Sequence, residues 1–132
     1  MSEEEIYGSC LCGVINYVVT GETKRFYKCH CKRCQKATGS GFSSALLIAP
    51  KTSITWLSGE SFLVRYKTPE PNEYYNRFCL QCGSSMPLVM PELDAVLVPV
   101  GSLDTEEGGG YSILGSRADS LCVHEHLDCV EN

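Results

Sequence analysis

The sequence of 132 residues has no long hydrophobic run, and no apolar stretch approaches the roughly 20 residues that a membrane-spanning helix needs. Its N-terminus, Met1-Ser2-Glu3-Glu4-Glu5, lacks the basic and then apolar pattern of a secretory signal. Linkers, low-complexity segments and solenoid-type repeats are missing as well. We therefore expect a single soluble, cytoplasmic domain that spans residues 1–132 and has no membrane partner.

Acidic residues are missing from one long stretch, although the formal net charge of the chain is -5. Thr23–Gly59 contains no Asp or Glu. Its seven cations are Lys24, Arg25, Lys28, Lys32, Arg33, Lys36 and Lys51. Such surroundings attract anions and lower thiol pKa values, but a solvated basic face would have the same composition. Nucleic acid is a disfavoured partner, because the chain is acidic overall and aromatics do not alternate with the cations.

Helix signals are few. Only Lys32–Thr38, which ends before Gly39, predicts a short helix. Apolar or alternating segments between turn residues predict strands at Val14–Val19, Phe42–Ile48, Ile54–Leu57, Phe62–Tyr66, Tyr74–Phe78 and Leu93–Val100. Pro99 indicates that the last of these strands ends at a sheet edge. The predicted fold class is therefore mainly β, with several short antiparallel strands and little helix.

Cysteine, in contrast, is abundant. The chain has nine, an odd number, and the absence of a secretory signal argues against a disulfide scaffold. Seven fall into three tight groups: an N-terminal pair (Cys10 and Cys12), a central triplet (Cys29, Cys31 and Cys34) and a C-terminal pair (Cys79 and Cys82). Such spacings allow thiolates to approach one zinc ion at about 2.3 Å. Buried apolar cysteines or a redox CxxC pair are the alternatives.

The number seven divides naturally between two kinds of zinc site. A structural zinc uses four protein ligands, whereas a catalytic zinc uses three and keeps one position open. The most economical division joins the N-terminal pair with the C-terminal pair in a closed structural site. The central triplet would then hold a second zinc with an open position. Spacing alone also permits other pairings, such as the N-terminal pair with Cys29 and Cys31.

Two further groups of residues leave alternatives open. Cys122, His124, His126 and Cys129 have spacings compatible with metal binding, but the composition of Ala118–Asn132 favours an ordered tail packed on the domain. A tail ligand at the open position would make the second site structural. His30, between two predicted ligands, is equally consistent with a proton shuttle and with a spacer that points away.

Three motifs resemble those of the glutathione-dependent formaldehyde-activating enzyme family, which also includes centromere-protein-V-like proteins. They are GSCLCG at Gly8–Gly13, CHCKRCQKATGS at Cys29–Ser40 and RFCLQCGS at Arg77–Ser84. Shorter likenesses occur at Val100–Asp104 and Gly115–Ala118. All of them follow the family's order, from about Gly8 to Ala118.

The resemblance implies a small, tent-like β domain stabilised by two zinc ions. It assigns the structural zinc to Cys10, Cys12, Cys79 and Cys82, and the catalytic zinc to Cys29, Cys31 and Cys34. It also implies a carbon–sulfur lyase whose substrate is the adduct of a small thiol, glutathione first, with formaldehyde or another small aldehyde. The alternative is a non-catalytic interaction module in which both zinc ions are structural and the basic segment binds an acidic partner.

Overall fold

A computed structural model of the chain describes residues 4–69 and 75–104. The strands are β1 (Glu4–Ser9), β2 (Asn16–Cys29), β3 (Ser43–Ala49), β4 (Ile54–Ser58), β5 (Leu63–Lys67), β6 (Tyr75–Cys79), β7 (Leu88–Met90) and β8 (Ala95–Pro99). One α-helix, α1 (Lys32–Thr38), occurs in the described residues, and none of their helices is long and apolar enough to cross a membrane. The mainly β fold class is confirmed.

Strand β2 is the longest and organises the larger sheet. Its first part pairs antiparallel with β1 on one side and β4 on the other, whereas its second part pairs with β3. The register shifts between Thr23 and Arg25, close to this change of partner, and such a bulge bends a strand. Beyond β3 the order continues to β8 and β7, while β5 and β6 form a separate two-stranded sheet.

Side chains from β2, β3 and β8 form most of the hydrophobic core. Ile15, Tyr17 and Val19 are fully buried and alternate with half-buried residues, as expected for a strand with one face on the core. The opposing buried side chains are Leu46, Ile48, Val96 and Val98. Cys10 and Cys79 belong to the same core cluster, so two of the predicted metal ligands are packed within the core.

Most predicted elements occur close to their expected positions. The helix Lys32–Thr38 has the predicted bounds, and its C-cap Gly39 adopts the left-handed conformation that ends it. Strands β3, β4, β5 and β6 begin within one residue of the predicted segments. Pro99 lies beyond Leu97, where the pairing of β7 with β8 stops, so its missing N–H interrupts no bond to β7.

The first predicted strand, Val14–Val19, corresponds to β2, and both of its predicted bounds were wrong. Strand β2 begins at Asn16 because Ile15 closes a loop, its carbonyl accepting the N–H of Cys10 at 3.1 Å. The strand then continues to Cys29 through the exposed and mostly charged Glu22–Arg25 and the half-buried residues that follow them. The segment predicted at Leu93–Val100 begins later, at Ala95, because Leu93 belongs to a 3-10 turn. The sequence did not predict β1 or β7.

Candidate metal centres

The N-terminal and C-terminal pairs lie in two loops of the same construction, Cys10–Ile15 after β1 and Cys79–Ser84 after β6. In each loop the N–H of the first cysteine donates to the carbonyl five residues later, at 3.1 Å in the first loop and 2.9 Å in the second. Each loop also contains a glycine with positive φ, Gly13 at 83° and Gly83 at 81°. Side chains with a Cβ rarely adopt this conformation, so both glycines allow the tight reversal behind the cysteines.

The four sulfur atoms of these loops form a compact group. All of them lie within 4.8 Å of one another. The Sγ of Cys12 is 3.6 Å from that of Cys10 and 3.9 Å from that of Cys79. A tetrahedron with zinc–sulfur bonds of about 2.3 Å separates its sulfurs by about 3.8 Å, whereas a disulfide bond is only about 2.0 Å long. The spacing therefore fits a metal tetrahedron and is too long for disulfides.

Each of these four sulfurs accepts at least one N–H hydrogen bond. The donor–acceptor pairs are Ile15 N to Cys10, Gln81 Nε2 to Cys12, Gln81 N to Cys79, and Cys12 N to Cys82, at 3.3, 3.2, 3.3 and 3.4 Å respectively. Such bonds stabilise the charged form of a thiol, and they offset the negative charge that four thiolates would bring to one ion. The donor set therefore suits a tetrathiolate metal site.

The pKa values of these thiols are shifted in different directions. A hydrogen bond with the Ser84 hydroxyl lowers the pKa of Cys82 to about 5. Burial opposes ionisation of Cys10, but hydrogen bonds with the N–H of Ile15 and the thiols of Cys12 and Cys79 outweigh it and lower the pKa. Burial raises the pKa of Cys79. The thiols of Cys10 and Cys82 therefore lose their protons more readily than a free cysteine. The buried thiol of Cys79 favours its neutral form until a cation is bound.

The central triplet lies where β2 ends and α1 begins. Cys29 is the last residue of β2, Cys31 is the N-cap of α1, and Cys34 lies within the helix. Each is only 2% exposed, and their sulfurs lie within 4.8 Å of one another. The N–H of Cys34 donates to the Sγ of Cys31 at 3.4 Å. The strand-to-helix connection alone therefore brings the three sulfurs together.

Two thiols of the triplet, Cys29 and Cys34, have pKa values that are shifted in opposite directions. A hydrogen bond from the Cys34 thiol lowers the pKa of Cys29 to about 6. The same bond, with burial, raises the pKa of Cys34, although a hydrogen bond with Ser43 acts in the opposite direction. One thiol therefore ionises readily while its neighbour holds a proton, and a bound cation would displace that proton.

A fourth ligand for the triplet is not found among residues 4–69 and 75–104. The ring of His30 does not join the three sulfurs and instead packs against Phe42, with 5.5 Å between the ring centroids. The predicted alternatives in the tail, Cys122, His124, His126 and Cys129, lie outside the described residues. The triplet therefore presents three sulfurs, as a metal site with an open position requires.

Gln35 connects the two loops that flank α1. Its Nε2 donates to the carbonyls of His30 and Gly41, at 3.1 Å in both cases. The hydroxyl of Thr38 donates to the carbonyl of Cys34 at 2.9 Å. These bonds hold the short helix between fixed loops, so the triplet is positioned by side chains as well as by the backbone.

A cavity of about 730 Å³ borders both groups of cysteines. Its wall includes Cys29 and Cys34 of the triplet, Cys10 of the other group, and Ser43. The volume lies within the roughly 300–1,000 Å³ that is usual for small-molecule sites. Three of the five thiols with shifted pKa values, Cys10, Cys29 and Cys34, thus belong to the wall of a pocket large enough for a small ligand.

The charged residues of the described cavity wall are Arg77 and Asp104. The cations that flank the triplet in sequence, Lys28, Lys32, Arg33 and Lys36, are not part of this wall. Lys28 places its Nζ over the ring of Phe42, 4.8 Å from the centroid. The cations that the sequence singles out therefore lie away from this wall, and sequence reasoning did not identify Arg77.

Sequence reasoning also missed the polar side chains that form hydrogen bonds with the cysteine sulfurs, namely Ser43, Gln81 and Ser84. Gln81 and Ser84 lie within the motif RFCLQCGS, next to the predicted ligands, and their position was the available signal. Ser43 reaches Cys34 from β3, a contact that depends on the pairing of β2 with β3.

Comparison with known proteins agrees with these observations. The family model described as glutathione-dependent formaldehyde-activating enzyme matches residues 5–112. The crystal structure of a Rhodobacter sphaeroides protein, from a structural genomics programme, has 19% sequence identity and a TM-score of 0.57, over 79% of this chain and 94% of that chain. At this identity the likeness concerns the fold. No curated protein gives a significant match. Because the family model covers most of the sequence, including both cysteine groups, the chain belongs to the glutathione-dependent formaldehyde-activating enzyme family.

Proposed function

We propose that this protein is a zinc-dependent carbon–sulfur lyase that acts on the adduct of a glutathione-like thiol with formaldehyde or another small aldehyde. The family suggests formaldehyde activation with glutathione. Since one fold can host several reactions, the proposal also needs support from the site. The observation that carries it is the position of the buried triplet, which holds three sulfurs together and contributes Cys29 and Cys34 to the wall of a cavity.

The two cysteine groups take different roles in this proposal. Cys10, Cys12, Cys79 and Cys82 would hold a structural zinc, because four sulfurs at tetrahedral spacing close the coordination shell. The triplet Cys29, Cys31 and Cys34 would hold the catalytic zinc, because three sulfurs leave a position for substrate. The sulfur-only donor sets favour zinc over hard cations such as magnesium or calcium.

The reaction joins two molecules without any redox change. The thiol sulfur bonds to the aldehyde carbon, and the thiol proton ends on the former carbonyl oxygen; carbon–sulfur cleavage is the reverse. When bound at the triplet, zinc supplies an open coordination position and lowers the pKa of a thiol there. The protein's own contribution is to orient the triplet through Gln35 and Ser43 and to enclose the thiol in the cavity.

The same use of cysteine supports a location and a domain organisation. Thiols that serve as metal ligands need a reducing compartment, which supports a cytoplasmic location. The structural site joins a loop after β1 to a loop after β6, so it connects early and late parts of the chain. We therefore propose that residues 1–132 function as one zinc-binding domain.

Exchange spectroscopy with ¹³C-labelled formaldehyde and glutathione tests the proposed activity. The wild-type protein should accelerate the interconversion of free and adduct forms, and Cys31→Ser should abolish the acceleration because the triplet loses a ligand. Cys122→Ser is the matched control, since it makes the same change outside the seven predicted ligands. If Cys122→Ser instead removes the second zinc, the open position is filled by the tail and the enzyme proposal fails.

Ligand binding distinguishes the enzyme from an interaction module. Glutathione should bind more tightly than S-methylglutathione, because the methyl group blocks the sulfur that coordinates the metal while the carboxylates are unchanged. Isothermal titration of both ligands measures the difference. Equal affinities would show that the sulfur takes no part in binding, and the non-catalytic interaction module would then be the better proposal.

A further inference from the structure

The strands β3, β8 and β7 form a part of the larger sheet that is apolar on both faces. Successive side chains of a strand point to opposite faces. Leu46, Val96 and Val98 belong to the hydrophobic core and are fully buried. The residues that alternate with the core residues border the cavity on the opposite face, and they are also apolar: Ala45, Leu88, Leu97 and Pro99. An antiparallel sheet with one face in solvent normally has polar residues on that face, so these four are suited to an apolar ligand group.

The strand register joins these four residues into one surface, called the apolar floor below. Ala45 lies opposite Pro99, and Leu97 lies opposite Leu88. Directly opposed residues of an antiparallel pair share one face, so their side chains are neighbours. Ala45 and Leu88 are each only 8% exposed, although the core cluster of the described residues does not include them. Their low exposure therefore arises on the cavity side of the sheet.

The apolar floor begins beside the triplet. Cys29 lies opposite Ser43 in the pairing of β2 with β3, and Ala45 follows two residues later on the same face. Neighbouring strands are about 4.8 Å apart, so β8 and β7 lie roughly 10 and 14 Å from the strand that carries Cys29. A one-carbon group bonded to a sulfur at the triplet would cover only the start of this distance. A longer substituent is needed to contact Leu97 and Leu88.

We propose that the cavity accepts aldehydes that carry an apolar substituent, and that this substituent lies on the apolar floor while the thiol sulfur is at the triplet. The inference deepens the proposed function and rests on it for the position of the sulfur. The bond changes are those of the proposed reaction, since only the group on the aldehyde carbon differs. Each methylene that moves from water to an apolar wall raises the affinity roughly fourfold. The protein should therefore prefer adducts of longer aldehydes to the adduct of formaldehyde.

Two thioethers separate the contribution of the apolar floor from that of the thiol. S-hexylglutathione and S-methylglutathione share the same peptide and the same blocked sulfur, and the hexyl group has five more carbons. In isothermal titration of the wild-type protein, purified without chelator, the hexyl conjugate should bind about 15- to 60-fold more tightly, as burial of two or three methylenes predicts. The heat capacity change of binding should also be more negative for the hexyl conjugate, because apolar surface is buried.

Substitutions on the floor should remove this preference. Leu97→Asn places a polar group there and should reduce the preference to less than about fivefold. Leu57→Asn is the matched control, because Leu57 is exposed in β4 and does not border the cavity, and it should keep the wild-type preference. Ala45→Val is a second variant that suits a strand and only adds volume, so it should weaken the hexyl conjugate more than the methyl conjugate. Circular dichroism and zinc content check that each variant is folded.

Equal affinities of the two conjugates for the wild type would overturn the inference, and so would a preference that Leu97→Asn and Ala45→Val leave unchanged. Unmodified glutathione as a third ligand tells the two proposals apart. If the hexyl conjugate binds more tightly than the methyl conjugate while glutathione equals the methyl conjugate, the floor stands and thiol coordination fails. If glutathione binds more tightly than both conjugates and these bind equally, thiol coordination stands and the floor is not used. Absence of binding by all three ligands would overturn both.

Discussion

Replacement of a cysteine by serine should unfold the protein when it is made in the group of four, and should leave the fold intact when it is made in the triplet. Cys79 and Cys31 are 0% and 2% exposed, so replacement by serine removes the same sulfur from comparably buried surroundings. Cys79 belongs to a group whose contacting members Cys12 and Cys79 are 67 residues apart in sequence, whereas Cys31 belongs to a group confined to Cys29–Cys34. The two variants therefore differ mainly in the length of chain that the metal closes.

The expected magnitudes follow from that length. In the chain-entropy treatment of a cross-link, closing a loop of this longer size stabilises the fold by about 4 kcal/mol, against about 2 kcal/mol for six residues. Structural zinc also contributes roughly 10 kcal/mol or more of binding free energy to folding. Since a domain is stable by only about 5–15 kcal/mol, Cys79→Ser should be largely unfolded at 25 °C. Cys31→Ser should remain folded, with its midpoint lowered by less than about 10 °C.

Zinc analysis and thermal circular dichroism measure both effects. Wild-type protein purified without chelator should contain two zinc ions per chain, Cys31→Ser one, and Cys79→Ser should show no cooperative transition. A Cys31→Ser variant that melts as badly as Cys79→Ser would refute the division between a structural and a catalytic site. Well-folded, metal-free wild-type protein with paired disulfides would refute metal binding altogether.

Two further substitutions test the supports of the site and the core. Gln35→Ala should lower the melting midpoint by about 3–8 °C, because two hydrogen bonds, to the carbonyls of His30 and Gly41, are lost; it should also speed removal of one zinc by a chelator while the other is retained. Equal release of both ions would contradict a local role. Tyr17→Phe should cost about 1 kcal/mol at pH 7, since the Tyr17 hydroxyl donates to that of Ser102. Burial raises the pKa of Tyr17, so the stability it contributes is complete below about pH 10, the unfolded value, and declines above it. Urea titrations should therefore show a smaller difference in the free energy of unfolding between the wild type and Tyr17→Phe at pH 11 than at pH 7. An undiminished difference at pH 11 would contradict this.

The parts of the fold that depend on local sequence could be predicted. The helix Lys32–Thr38 has its bounds because Gly39 ends it, and turn residues mark the strands β4 and β5. The second part of β2 could not be predicted in this way. Its residues, of which Glu22–Arg25 are exposed, become a strand because β3 pairs with them, and that partner is some 20 residues away.

The same distinction applies to the site. Spacing places cysteines of one group near each other, but only the sheet decides which groups meet. The grouping of four and three found in the structure was the most economical division of the sequence, although other pairings were open. The cavity and the position of Arg77 depend on the pairing of β5 with β6 and on contacts with β3 and β4. No local pattern contains that information.

The different sequence spans of the two cysteine groups also have a consequence during protein synthesis. The triplet is complete as soon as Cys34 has left the ribosome, since its three sulfurs belong to one strand-to-helix connection. The other group is complete only when Cys82 has been synthesised, so Cys10 and Cys12 remain free thiols while the residues up to Cys82 are added. The ligand set proposed for catalysis can therefore form before the set proposed to stabilise the fold. A nascent chain short of metal would carry its exposed thiols longest at its N-terminal loop.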